Sequence, residues 1–247
     1  MKDENIIYGI RPVIEAILSG KEIEKLLIQQ GLKSEGYNTL RTLIKEQNIL
    51  FQFVPIEKLN RISRKNHQGI ICYISPIQYQ DIENLIPIIY EDGKIPLILI
   101  LDKVNDVRNF GAIARTAECA GVDAIIIPER GSAMINSDAV KTSAGALLKI
   151  PVHRSKNLKI TISFLKESGL QIISASEKAD EKYYDPDYSQ PTAIIMGSEE
   201  SGVSGEYLKL SDKEVQIPII GEIKSLNVSV ATGIIIYEAL KQRTSLK

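Results

Sequence analysis

Tryptophan is absent from the 247 residues of this sequence, and cysteine and histidine occur only twice each. Cys72 and Cys119 both stand among apolar neighbours, and neither belongs to a CxxC pair. We therefore expect two buried free thiols in a reducing compartment and no disulfide framework. So few sulfur and imidazole groups also give no zinc-site spacing, and we expect no metal.

Long hydrophobic runs are missing as well. The longest, at residues 95–101, is far shorter than the roughly 20 apolar residues that a membrane-spanning helix needs. Residues 1–5 are mostly polar and lack the apolar core of a signal peptide. We therefore expect a cytoplasmic protein with no membrane partner.

An excess of one charge is also lacking, because the net charge is −1 and the sequence pI is about 6.2. The distribution is nevertheless uneven. Residues 1–75 carry 11 Lys and Arg against 8 Asp and Glu, whereas residues 76–95 carry one Lys against four acids. A positive N-terminal region is compatible with RNA binding but does not establish it.

What the sequence does contain is a change of pattern near residue 95. The first 75 residues alternate short helical and strand signals, which indicates a small α/β sandwich. The helical segments are expected at 11–19, 37–46 and 55–61, and the strands at 25–29, 51–54 and 69–74. Residues 76–94, marked by Pro76, Pro87 and Gly93, are expected to form a linker with a short helix at 81–90.

From residue 95 onward, nearly continuous apolar segments indicate strands that are buried on both faces. We expect such strands at 95–101, 124–127, 170–174 and 193–196, with a helix at 109–120 after the first of them. This βα alternation predicts an open parallel sheet, so residues 95–247 form a second α/β domain.

Three segments at 105–115, 195–203 and 217–231 follow predicted strands, where open α/β sheets bind ligands. In the first, Asn109 could cap the helix that it precedes, and Arg115 on an Ala- and Ile-rich face needs an acidic partner or an anionic ligand. In the second, Gly197 and Gly202 could be turn glycines and Glu199 a solvated acid. No G-x-G-x-x-G or Walker A pattern is present, which argues against a dinucleotide site or a P-loop.

The third segment places polar residues at the entry of a very apolar helix predicted at 228–240. Ser225 could cap that helix, and Asn227 would then lie inside the first turn, where Asn is a poor helix former. A buried polar group needs partners, which a ligand or a second subunit would supply.

Taken together, Asn109 with Arg115, the stretch 197–199 and the stretch 225–229 resemble the three ordered motifs of the SpoU/TrmH branch of the SPOUT methyltransferases. Residues 8–16 and 67–70 extend the resemblance over nearly the whole chain. They are similar to the substrate-binding domain of bacterial 23S rRNA guanosine-2′-O-methyltransferases.

The resemblance implies a C-terminal α/β knot over 95–247, a deep trefoil knot with a mostly parallel sheet. In it, the C-terminal segment threads a loop near 197–220. The resemblance also implies an L30e-like α/β domain over 1–75 that recognises RNA. S-adenosylmethionine would bind within the knot through Gly197, Ile217 and Leu226. The resemblance further implies a homodimer with active sites built across the interface. The apolar helix at 228–240 is consistent with such an interface, although that helix could equally be the core helix of one subunit.

The reaction that the resemblance implies is 2′-O-methylation of a guanosine ribose in 23S rRNA. Arg115 would deprotonate or polarise the ribose hydroxyl; because arginine stays protonated, stabilising the alkoxide and gripping a phosphate is the physically easier role. Asn109, Glu199, Ser225 and Asn227 would orient the reacting groups. Another rRNA or tRNA nucleotide as target, and a non-catalytic RNA-binding assembly factor, are the alternatives.

RNA contacts are expected from the densest basic part of the N-terminal region. The candidate residues are Arg11, Arg61, Arg64, Lys65 and His67. A solvated charged face is the alternative interpretation of that cluster.

Overall fold

Two groups of elements, each with its own core, follow one another along the chain. The computed structural model describes residues 5–223 and 225–245. One compact unit runs to Gln78 and includes Ile135–Ser137; the other comprises Tyr79–Met134 and the chain from Asp138 onward.

The smaller unit is a four-stranded sheet with helices on its faces. Its elements are β1 (Ile6–Tyr8), α1 (Ile10–Leu18), β2 (Ile23–Gln29), α2 (Tyr37–Glu46), β3 (Phe51–Val54), α3 (Ile56–Ile62) and β4 (Ile70–Ile74). The strand order is β1-β4-β2-β3, with β2 antiparallel to β4 and parallel to β3. Because alternate residues of a strand face opposite sides, Leu26 packs with α1 and α2, whereas Leu27 packs with Leu59 of α3.

The larger unit is built on a seven-stranded sheet. Its helices are α4 (Ile82–Glu91), α5 (Val107–Cys119), α6 (Ser137–Thr142), α7 (Leu158–Glu167), α8 (Gly205–Leu208) and α9 (Val228–Thr244). Its strands are β5 (Leu97–Leu101), β6 (Ala124–Pro128), β7 (Val152–Ser155), β8 (Gln171–Ala175), β9 (Glu181–Lys182), β10 (Thr192–Met196) and β11 (Lys213–Gln216). All neighbours in the order β7-β6-β5-β10-β8-β11-β9 pair in parallel.

The central strands explain the apolar runs in the sequence. Every residue of β5 and every residue of β10 is buried. A strand covered by helices on both faces has no solvent side, so it shows no polar alternation. The predicted parallel α/β sheet is therefore confirmed. The knot implied by the resemblance stays a prediction.

Most of the segment 76–94, which was expected to be a linker, belongs to the larger unit. Its helix, α4, buries Ile82, Ile86 and Ile89 in the core of the larger unit together with residues of β5, β6, β8 and β10. Asp81 caps this helix by accepting a hydrogen bond from the N–H of Glu83 at 3.3 Å. From Tyr79 onward, the chain is thus part of the larger unit.

Cys119 corrects one expectation. Cys72 is fully buried in β4, but Cys119, the last residue of α5, is exposed. Its apolar sequence neighbours lie on the side of α5 that faces the core, and the thiol lies on another side.

No helix within the described ranges is long and apolar enough to cross a membrane.

Candidate active site

A cavity of about 700 Å³ opens at the carboxyl ends of β8, β10 and β11. Open parallel sheets bind ligands at this edge, because the loops that leave the strands can surround a crevice there. The walls come from the residues after β8, from the loop that follows β10, and from the chain that joins β11 to α9.

Gly197 begins the loop after β10, and only glycine fits there. A Cβ at this position would lie 1.9 Å from the carbonyl carbon of Gly202 and 2.1 Å from the backbone nitrogen of Val203. The loop doubles back onto its own start, where the N–H of Gly202 donates to the carbonyl oxygen of Ser198 at 2.9 Å. The predicted turn role of Gly202 is confirmed by its φ of +64°.

The end of the same loop is anchored to the residues that follow β5. The carboxylate of Asp102, which is 1% exposed, accepts a hydrogen bond from the N–H of Ser204 at 2.7 Å. The ammonium of Lys103 donates to the hydroxyl of Ser204 at 3.0 Å. Sequence reasoning missed this anchor, since nothing in the pattern connects residues about 100 positions apart.

Three polar side chains, one from each motif segment, meet beside the cavity. Oε1 of Glu199 accepts hydrogen bonds from the amide nitrogens of Asn109 at 3.2 Å and of Asn227 at 2.5 Å. Nδ2 of Asn227 also donates to Oδ1 of Asn109 at 3.0 Å. We call Asn109, Glu199 and Asn227 the polar cluster.

Helix starts place two members of the polar cluster. Asp106, not Asn109, caps α5, because its Oδ1 accepts from the N–H groups of Arg108 and Asn109 at 2.9 and 2.8 Å. Asn109 lies in the first turn, and its amide is free to point at Glu199.

The cap of α9 also differs from the expectation. Asn227, not Ser225, caps this helix, since its Oδ1 accepts from the N–H of Ser229 at 2.9 Å. An N-cap residue is non-helical, so the poor helix propensity of Asn carries no cost at this position.

The structure brings most of the predicted site residues together. Gly197, Ile217 and Leu226, predicted to bind the cofactor, all line the cavity, and so do Glu199 and Ser225. Asn109 and Asn227 join them through the polar cluster.

Arg115 stands apart from this group. It is exposed on α5 and makes no hydrogen bond or ion pair with any residue in 5–223 or 225–245. Six residues of α-helix turn the side chain about 120° away from Asn109 and move it about 9 Å along the axis. The acidic partner that the sequence allowed for Arg115 is therefore not found in the described part of its own chain.

The predicted RNA-binding residues divide into two kinds. Arg11, Arg61, Arg64 and Lys65 are exposed, and the ammonium of Lys65 lies 5.1 Å from the centre of the Tyr8 ring.

His67 is only 7% exposed, and both ring nitrogens bond within the protein. Nδ1 accepts from the N–H of Gly69 at 3.1 Å, which leaves the proton on Nε2, 3.0 Å from Oδ1 of Asn60. His67 therefore shapes the turn before β4, and the structure gives it no exposed nitrogen for RNA.

Comparison with known proteins identifies the family of the chain. Residues 96–237 match the SpoU rRNA Methylase family, and residues 6–80 match the RNA 2′-O ribose methyltransferase substrate binding family. The chain belongs to the SpoU rRNA methylase family. It is thus an RNA methyltransferase by family, with the two parts in the order that the sequence predicted.

Individual relatives cover the chain to different extents. A protein of Staphylococcus saprophyticus named as a TrmH family tRNA/rRNA methyltransferase is 37% identical over 241 residues, which are 98% of this chain and 97% of that protein. The structure of an AdoMet-bound rRNA methyltransferase from Sinorhizobium meliloti has a TM-score of 0.62 and 25% identity, covering 96% of this chain and 87% of that one. A TrmH/SpoU tRNA modifying enzyme from A. aeolicus has a TM-score of 0.57 and 32% identity, covering 66% of this chain and 85% of that one.

Proposed function

We propose that this SpoU family protein transfers a methyl group from S-adenosylmethionine to the ribose 2′-hydroxyl of a guanosine in 23S rRNA, in the cytoplasm. The observation that carries the proposal is the polar cluster. It joins Asn109, Glu199 and Asn227, which come from three separate motif segments, at the rim of a cavity at the carboxyl edge of the sheet.

The cavity suits S-adenosylmethionine in size and chemistry. Its volume of about 700 Å³ falls within the range of roughly 300–1,000 Å³ typical of small-molecule sites. Ile217 and Leu226 supply apolar wall, and Glu199 supplies negative charge beside a ligand whose sulfonium is positive. When bound, the cofactor supplies an electrophilic methyl group.

The backbone packing at Gly197 bears on this fit. Because the chain at Gly202 and Val203 folds against Gly197, the loop presents main-chain groups to the cavity with no side chain at position 197. Gly197, Ile217 and Leu226 would hold the cofactor.

The polar cluster would orient the ribose. Oε1 of Glu199 accepts from both amides, and Oε2 accepts no hydrogen bond from the described residues. Oε2 can therefore accept a hydrogen bond from a substrate hydroxyl. Ser225, which lines the cavity and has no side-chain hydrogen bond within 5–223 or 225–245, can donate or accept one as well.

Arg115 would act through its fixed positive charge. A guanidinium has five donors and no acceptor, so it can grip a substrate phosphate and stabilise a developing alkoxide. Since Arg115 makes no contact with the cluster in its own chain, a second protomer is the natural way to bring it to a substrate.

Exposed apolar side chains on α9 support a homodimer. Val230 and Tyr237, two turns apart on α9, are 50% and 49% exposed, and Leu226 just before this helix is 39% exposed. A helix that is apolar on several sides needs cover beyond its own subunit. We place the partner protomer on this face, with Arg115 of one chain serving the cavity of the other.

Mixing two inactive variants tests the shared site. If Arg115→Ala and Glu199→Ala each abolish activity, an equal mixture of exchanging protomers regains about a quarter of the wild-type activity. Half of the dimers are then mixed, and each mixed dimer has one intact site. Mass spectrometry verifies that the protomers exchange. If activity does not recover although they exchange, both residues serve the site of one protomer; if no dimer forms, the shared site is wrong.

Ribosomal RNA is favoured over tRNA by the extent of the matches. The rRNA methyltransferase structure covers both units, whereas the tRNA modifying enzyme covers 66% of this chain. The additional unit matches a substrate-binding family and carries the exposed Arg11, Arg61, Arg64 and Lys65.

The test uses labelled S-adenosylmethionine and total RNA from cells that lack the gene, followed by mapping of the labelled nucleotide. A 2′-O-methylguanosine in 23S rRNA that disappears with Arg115→Ala is the expected result. Label in tRNA overturns the target but not the reaction. No cofactor binding and no label in any RNA or ribosomal precursor overturns the enzyme and leaves an RNA-binding assembly factor.

A further inference from the structure

A second cavity, of about 690 Å³, lies between the start of α5 and helix α6. Arg108 and Lys141 line it, together with polar and acidic residues that lie just before α5 or in α6, namely Asn105, Asp106, Asp138 and Thr142. None of these residues lines the cavity assigned to the cofactor.

The packing of the two helices explains why both cations reach this cavity. A Cβ at Gly111 would lie 2.7 Å from Cβ of Thr142 and 3.2 Å from the carbonyl oxygen of Ala139, so α5 and α6 touch at this glycine. Arg108 is one helical turn before Gly111, and Lys141 directly precedes Thr142. The contact therefore places the two cations at the mouth of one cleft.

Both cations are exposed, and neither has a protein partner in the part of the chain that the structure describes. Within residues 5–223 and 225–245, neither the guanidinium of Arg108 nor the ammonium of Lys141 makes a hydrogen bond or an ion pair. Oδ1 of Asp106 accepts the N–H groups at the start of α5. Asp106 and the exposed Asp138 are the two negative groups that line this cavity.

One residue of this cleft, Arg108, is the sequence neighbour of a member of the polar cluster. Arg108 directly precedes Asn109, whose amide donates to Glu199 at 3.2 Å. An RNA chain has a phosphate on each side of every ribose. A ribose held at the polar cluster therefore carries phosphates within reach of the first turn of α5.

We propose that Arg108 and Lys141 bind RNA phosphodiester groups next to the methylated ribose. The proposal rests on the proposed function and adds to it a phosphate site on the catalytic unit, separate from the basic residues of the N-terminal unit. A guanidinium can bind a phosphate through two parallel hydrogen bonds, and an ammonium adds a point charge. These contacts position the RNA and do not read its sequence.

The experiment compares Arg108→Gln, Lys141→Gln and the double variant with a charge-matched control. The control is Lys149→Gln, because Lys149 is an exposed lysine of the same unit in an ion pair with Glu118 at 3.6 Å. Binding of a labelled 23S rRNA fragment by the full-length protein is measured at several KCl concentrations. S-adenosylmethionine affinity and the rate of methyl transfer are measured in parallel.

Each substitution in the cleft should make the slope of log K against log salt shallower by about 0.7, the value for one phosphate contact on single-stranded RNA. The KM for RNA should rise roughly three- to tenfold per substitution, with kcat at saturating RNA and cofactor affinity unchanged. Lys149→Gln should leave the slope unchanged.

Two results overturn the proposal. If Arg108→Gln, Lys141→Gln and the double variant all keep the wild-type slope and methyl transfer is intact, there is no phosphate site and the proposed function is unaffected. An equal change of slope in Lys149→Gln shows an effect of net charge alone. A third result separates the two proposals. If no RNA is methylated but the slope of log K against log salt is shallower in the cleft variants only, the phosphate site is supported and the proposed reaction is wrong.

Discussion

The side-chain amide of Asn227 donates a 2.5 Å hydrogen bond to Oε1 of Glu199, across 28 residues of sequence. The same Asn227 caps α9 through its Oδ1. One residue therefore fixes the start of the last helix and attaches it to the loop after β10. Because the amide of Asn109 shares the acceptor, Glu199 determines the relative position of all three motif segments.

Glu199→Ala should therefore damage the site more than its loss of charge suggests. It removes the acceptor that the amides of Asn109 and Asn227 share with the N–H of Val228, while Asn227 keeps its bond to Asn109. Leaving a donor without a partner costs about 1–3 kcal/mol, less where water can replace the lost acceptor. We expect kcat to fall roughly tenfold or more, with a change in Tm below about 3 °C because the cluster is exposed.

Glu200→Ala is the matched control for this prediction. Glu200 lies next to Glu199 in the same loop and lines the same cavity, but it makes no hydrogen bond within the described ranges. Its kcat should stay within about twofold of the wild-type value. Equal losses in the two variants would show that the negative charge of the loop matters and the hydrogen bonds do not.

Gly197→Ala should abolish cofactor binding. The added methyl would lie 1.9 Å from the carbonyl carbon of Gly202, so the loop must move away from β10. Overpacking of this kind costs about 1–3 kcal/mol of stability and here displaces a wall of the cavity. Isothermal titration with S-adenosylmethionine and thermal unfolding measure the two effects.

Gly205→Ala serves as the control for Gly197→Ala. A Cβ at Gly205 would meet nothing within 4 Å, and its φ does not require glycine. This variant should bind the cofactor as the wild type does. Normal cofactor affinity in Gly197→Ala would mean that the loop can rearrange without affecting the cavity.

The local sequence pattern predicted some elements together with their bounds. The helix at 37–46 and the strand at 51–54 were predicted with the bounds that the structure shows. The strands β1 and β11 were missed. β1 has only three residues, and β11 has one apolar residue among four, whereas β3 has three. Cap positions were also misassigned, since Asp106 and Asn109, or Ser225 and Asn227, are equally good caps on composition alone.

The site was predictable only in part for a similar reason. The three motif segments were singled out by glycines and polar residues after strands, and the structure brings them together at one edge of the sheet. The anchor from Asp102 to Ser204 depends on the adjacency of β5 and β10, which pair in parallel although they are far apart in sequence. Such pairings follow from the sheet order, and local pattern does not contain that information.

The two thiols should differ in reactivity. Burial raises the pKa of Cys72 to about 12, so at pH 8 only roughly one thiol in ten thousand is ionised, whereas Cys119 is exposed. A maleimide should therefore label one site per chain in the folded protein and two in urea. Cys119→Ser should take up no label until it unfolds. Rapid labelling of native Cys119→Ser would show that β4 opens readily.

Arg243, near the end of α9, attaches the last helix to two other segments. Its guanidinium donates to the carbonyl oxygens of Tyr188 at 2.9 Å, of Ile95 at 2.5 Å, and of Pro96 and Gln190 at 3.0 Å each. Burial lowers the pKa of this guanidinium from its usual value, but arginine is not deprotonated in proteins. The four carbonyls belong to residues that precede β5 and β10, so one side chain joins the end of α9 to the amino ends of these two strands.

Arg243→Ala should accordingly destabilise the fold and leave the chemistry of the site unchanged. It removes several charge-assisted hydrogen bonds at a half-buried position, and we expect a loss of roughly 3 kcal/mol in the free energy of unfolding, measured by urea denaturation. Lys241→Ala is the control, because Lys241 is exposed and Glu238 keeps its hydrogen bond from Gln242, so that loss of this ion pair should cost less than about 1 kcal/mol. Since the polar cluster lies at the opposite end of α9, kcat at a temperature where both proteins are folded should change less than about twofold.

A loss of stability below about 1 kcal/mol would mean that water replaces the guanidinium at these carbonyls without cost, and that the end of α9 is held by its apolar contacts alone.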